Sequence, residues 1–170
     1  MDSVELRKDV YAHFGAAMYY AQCLEQSIII AIMFIDHFPK AIKKYTSQHL
    51  WENDFDRFMN DISSKTMGRL INSLKAVDFP IDKVEVQLKD ALDKRNFLAH
   101  HYFVERAIEI ITDAGCIKMV EELIDIQAFF SSLETEINQV TDAVSLKYGF
   151  TKELQDSMMK EMMIEYHQAR

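Results

Sequence analysis

A chain of 170 residues and 19.9 kDa is long enough for a single domain with a substantial core, and its formal charge of −8 argues against a generic, charge-driven binder of nucleic acid or anionic membrane. Four glycines and two prolines are too few for an all-β chain with many tight turns, and ten methionines with long three-four apolar spacings predict an all-α protein. Two isolated cysteines exclude a disulfide framework or a cysteine zinc site, and the N-terminal stretch carries charge rather than a secretory apolar region, so a cytoplasmic location is expected.

The first predicted helix runs from about Ser3 to His37 and ends before Pro39, because the residue preceding a proline disfavours helical backbone. Phe14, Ala17, Ala21, Leu24, Ile28, Ala31 and Ile35 form its apolar stripe. Gly15 sits inside this helix at a cost of about 1 kcal/mol relative to alanine, which a close helix–helix approach would explain. The run Ile28 to Ile35 is far shorter than the ~20 apolar residues that span a bilayer. Lys40 to Tyr45 is basic and reads as a turn or a loop. A second helix is expected from about Leu50 to Leu74, bent or broken at Ser63-Ser64-Lys65 or at Gly68. Pro80 opens a third, roughly Ile81 to Ala99, with the stripe Ile81, Val84, Leu88, Ala91, Arg95, Leu98, Tyr102. Asp113-Ala114-Gly115 reads as a break before a fourth helix from about Ile117 to Lys147. Gly149 stops that helix and Thr151 caps a fifth, Lys152 to His167, rich in methionine. The expected architecture is an up-and-down four-helix bundle over 1–150, with 151–170 an added helix packing on the bundle or on a partner.

Lys94-Arg95-Asn96-Phe97-Leu98-Ala99-His100-His101-Tyr102-Phe103 departs from this apolar pattern. Arg95 falls on a core stripe, where a guanidinium needs a carboxylate, water or an anionic ligand. Arg95 and His100 form R-x4-H, a spacing expected about 0.2 times by chance in a chain of this composition. With Asn96 after the arginine and Tyr102 two residues beyond the histidine, the segment resembles the HEPN superfamily of helical-bundle proteins, and its R-x4-H-x-Y form resembles the toxin subunits of HEPN/nucleotidyltransferase pairs. Phe14-Gly15 and Gln22-Cys23-Leu24-Glu25 resemble the first helix of uncharacterised bacterial proteins of this kind.

The resemblance implies a homodimer and a metal-independent endoribonuclease acting on RNA without a cofactor. Arg95, Asn96 and His100 would be its catalytic residues, His101 and Tyr102 auxiliary ones, and Gln22 and Glu25 supporting ones. Tyr102 would be the position modified by a nucleotidyltransferase antitoxin partner. The residue chemistry suits such a reaction: an imidazole is a base near neutral pH, and a guanidinium fork holds a phosphate and its developing charge. His100 would move the proton and Arg95 would bind the scissile phosphate.

Geometry sets a condition on that reading. At about 100° per residue, His100 lies roughly 140° round a helix from Arg95, so the helix loosens near Ala99 or the two side chains meet counterparts across a two-fold axis. Plainer alternatives stand beside it. His100 and His101 would be favourable as simple closing residues of a helix C-terminus, Arg95 as a structural partner of Glu25, and Tyr102 as core. Between Ile81 and Gly115 five basic residues face seven acidic ones, an acidic balance for an RNA track. His13, His37, His49 and His167 read as ordinary surface or boundary residues, and no histidine spacing matches a metal motif. A non-catalytic interaction or nucleotide-binding module is therefore the second functional expectation.

Overall fold

A computed structural model describes residues 3–168, leaving Met1, Asp2, Ala169 and Arg170 outside the description. Among the described residues the regular structure is all helical, with no strand, and two long helices carry most of the core. Helix α1 (Ser3–Ile32) buries Ala17, Ala21, Leu24, Ile28 and Ala31, the stripe expected from their spacing, with Phe14 and Ile35 partly covered. Its main partner along its length is a second long helix, α7 (Asp113–Ser145), which buries Met119, Leu123, Ile126, Phe130, Leu133 and Ile137. Ala17 and Ala21 offer little side-chain bulk on this face. Gly15, by contrast, is exposed and no atom lies within 4 Å of where its Cβ would stand, so a close approach does not explain it.

The first helix does not stop before Pro39. A π turn over Met33–His37 widens the helix, the Phe38 amide bonds the Met33 carbonyl five residues back, and α2 (Phe38–Lys43) continues with Pro39 in its first turn. A proline is tolerated there because the first amides of a helix need no partner within that helix. The whole rod, Ser3–Lys43, is long and apolar enough by composition to cross a membrane, but 44% of its most apolar window is buried inside the fold.

The second expected helix is two. Helix α3 (Gln48–Ser63) begins at Ser47, whose hydroxyl accepts the Leu50 amide, and ends at Ser64. Helix α4 (Met67–Lys75) follows Thr66 and buries Met67, Leu70, Ile71 and Leu74. The break therefore falls at the serines, and Gly68 lies within α4. After Pro80 comes one 3-10 turn, Ile81–Lys83, and then α5 (Glu85–His100) with Leu88, Ala91 and Leu98 buried. A short α6 (Tyr102–Glu105) and a 3-10 turn at Glu109–Ile111 lead into α7.

Asp113-Ala114-Gly115 is the first turn of α7 rather than a break. Thr112 is its N-cap, its hydroxyl accepting the Gly115 amide at 3.1 Å. Glycine is required at 115 because a Cβ would collide with the carbonyl oxygen of Glu109. At the other end Gly149 has a left-handed φ of 77°, and the Thr151 hydroxyl accepts the Leu154 amide at the start of α8 (Lys152–Gln168). Helix α8 buries none of its residues.

Candidate functional site

The central part of the expected site is the last two turns of α5. Regular helix persists through His100, and the His101 amide still bonds the Phe97 carbonyl, so the backbone does not loosen near Ala99. Arg95 and His100 thus remain about 140° apart around one helix and cannot converge on one atom within a single chain. Asn96, His100 and His101 are all exposed, and the two imidazoles lie 6.2 Å apart with their planes crossed at 72°.

Arg95 has a partner. Its Nε lies 3.4 Å from Oε1 of Glu25 on α1, and its Nη1 reaches Asn96 Oδ1 at 3.5 Å. The pair joins α5 to α1, yet it is not sealed: the Arg95 side chain is 30% exposed and that of Glu25 21%. The guanidinium is therefore on the rim of the core stripe, between the buried Ala91 and Leu98, rather than inside it. Burial pushes the Glu25 carboxyl above its usual range and outweighs the opposing pull of Arg95. At 3.4 Å and partly open to solvent, the pair contributes little to holding α5 on α1.

Glu25 also lines a cavity of about 640 Å³ between α1 and α7, shared with Gln22, Tyr19 and Glu134. Gln22 is exposed there. Ser27 at this cavity donates to Glu134 at 3.5 Å.

Tyr102 is in a different environment from the one its auxiliary role requires. It is 1% exposed, packed among Phe14, Phe97 and Phe103, and its hydroxyl donates to the Met119 carbonyl at 3.3 Å. Burial, reinforced by the Glu122 carboxylate, drives its ionisation far above the usual range. In this conformation it is a core tyrosine, with no hydroxyl offered to a modifying enzyme.

A second arginine, counted in the sequence only as one of the basic residues after Ile81, has a structural role. Arg106 grips Glu122 with two parallel bonds, Nε to Oε2 at 3.0 Å and Nη2 to Oε1 at 2.7 Å, and its guanidinium lies 5.5 Å from the Phe97 ring centre. This fork ties the segment after α6 to α7 directly beside Tyr102. Only the sixteen-residue separation of an arginine and a glutamate hinted at it, which is no signal at all. Among the described residues no group of three or more His, Cys, Asp or Glu side chains is placed to hold a metal ion. The chain matches no protein-family model, no curated protein and no solved structure.

Proposed function

We propose that the protein is a HEPN-like, metal-independent endoribonuclease that works as a homodimer. In this reading the rod of α1 and α2, the broken pair α3 and α4, then α5 and α7 are the four arms of the bundle, with α8 added. Arg95 binds the scissile phosphate, His100 moves the proton of the attacking 2′-hydroxyl or of the leaving oxygen, and Asn96 orients the arginine. The observation that supports it is the presentation of all three side chains, none fully buried, on two turns of one helix. Because an intact α5 separates Arg95 from His100 by roughly 140°, the pair serves one phosphate only when two copies face each other.

A second reading, a non-catalytic helical scaffold, is favoured by the Arg95–Glu25 contact, which gives the arginine a structural use. The two separate in one experiment. Purified protein is incubated with total RNA in EDTA beside Arg95→Ala and His100→Ala. Cleavage by the wild type that leaves 2′,3′-cyclic ends, lost by about a hundredfold or more in both variants, is the expected result. Intact RNA with the wild type, or equal cleavage by all three proteins, leaves the scaffold.

A further inference from the structure

The basic segment after α1 has no part in the site on α5, yet it borders a cavity of its own. Between α2 and α3 lies a hollow of about 550 Å³, within the 300–1,000 Å³ usual for small-molecule sites. Three features of its wall point to one kind of ligand. First, Lys44 and Arg57 face it, and among the described residues neither makes an ion pair or a side-chain hydrogen bond. Three cations, Lys40, Lys44 and Arg57, line the hollow against two carboxylates, Asp54 and Asp61, so in a chain of net charge −8 this wall leans positive. Second, Trp51 and Tyr45 supply aromatic surface. The Tyr45 and Phe38 rings meet the indole tilted, at 60° and 39°, so neither is stacked flat on it. Third, the π turn places His37 against Phe58, with ring centres 4.1 Å apart and planes 16° from parallel, closing the wall with a flat, rigid face. His37 in turn lies 3.7 Å from Asp54, an acceptor on the same wall.

We infer that this hollow binds a nucleoside monophosphate, its base on the Trp51 and Tyr45 aromatic surface and its phosphate between Lys44 and Arg57. Unpaired cations select the phosphate, the aromatic faces select a planar ring, and the Asp54 carboxylate accepts from hydroxyl or amino groups. Asp54 and Asp61 on the wall disfavour a longer polyanion, which sets a single phosphate above a triphosphate or an RNA strand. The site lies on other elements than Arg95 and stands whether or not the chain cleaves RNA.

Trp51 is the sole tryptophan, so its fluorescence reports on this hollow alone. The full-length protein is titrated with AMP, adenosine and inorganic phosphate, and the AMP affinity is checked by calorimetry. Saturable quenching by AMP is expected, with adenosine and phosphate each weaker by about tenfold or more. Arg57→Ala and Lys44→Ala, both at exposed positions and checked for unchanged helix content, should each weaken AMP by about tenfold, and Arg95→Ala should leave it unchanged. No saturation by AMP at millimolar concentration overturns the site, as does full affinity in both cation variants. Phosphate binding as tight as AMP removes the base from it and overturns the assignment. So do a loss of AMP binding in Arg95→Ala and a single-stranded RNA oligomer that outcompetes AMP.

Discussion

Glu25 illustrates how one residue separates two readings of the molecule. Its carboxyl titrates above the ordinary range because burial outweighs Arg95. A raised folded value means the charged form is penalised by folding, so the stability Glu25 contributes is fully present at low pH and is lost as pH rises from the usual carboxylate range through the folded value. Glu25→Gln removes that titration. Its stability relative to the wild type should therefore increase from pH 4 to pH 7, measured by urea unfolding at both pH values, while the loss of the partly exposed pair costs less than about 1 kcal/mol. A variant that loses ground towards neutral pH would show that Arg95 does stabilise the carboxylate. The same variant frees Arg95, and if that arginine binds phosphate, RNA cleavage at pH 7 is kept or raised.

At the scale of elements, α8 is the anomaly. Leu154, Met158, Met159, Met162, Met163, Ile164 and Tyr166 are all substantially exposed, and the helix buries no residue. Since packing of an apolar face, rather than propensity, supplies most of a helix's stability, α8 adds little to the fold of one chain. Truncation after Phe150 should shift the thermal midpoint by less than about 3 °C in a calorimetric scan, and a larger fall would mean that the hollow Met158, Met159 and Met162 share with Ile30 and Phe34 is a stabilising contact. How far such elements can be read in advance depends on what sets them. The buried stripe of α1 and the Gly149–Thr151 stop were legible, because three-four spacing and a left-handed glycine are local properties. The passage of the first helix through Pro39 was not, because nothing in the residues announces a π turn at Met33–His37. Gly115 looked like a breaker, and only its packing against the Glu109 backbone reveals why glycine stands in a helix. In the candidate site, helix geometry alone anticipated the separation of Arg95 and His100, and the Glu25 contact was foreseen as an alternative. The burial of Tyr102 follows from its place on the three-four stripe that begins in α5, whereas its bond to the Met119 carbonyl on α7 and the Arg106–Glu122 fork depend on tertiary contacts between residues 16 or 17 apart, which spacing does not encode.

For the whole molecule, surface area and helix geometry bear on the same proposal. The chain exposes 11026 Å², whereas a folded monomer of its mass exposes about 8,700 Å². The excess, roughly 2,300 Å², is well above the ~800 Å² per partner that a standard-sized interface buries. The exposed apolar side chains of α8 contribute to it. The charge of −8 opposes self-association, so if the chain dimerises as proposed, the dimer should tighten as salt rises. If an Arg95 from one copy and a His100 from the other serve each phosphate, a two-fold dimer holds two such sites. Arg95→Ala and His100→Ala are then inactive alone but complement each other when mixed and allowed to exchange. Random exchange makes half the dimers mixed, and each of those keeps one intact site of two, so the mixture recovers about a quarter of wild-type cleavage. Recovery near that fraction, followed as 2′,3′-cyclic ends against time, requires residues contributed across the interface. A mixture as silent as its components, despite exchange seen by native mass spectrometry, would mean that no such shared site exists.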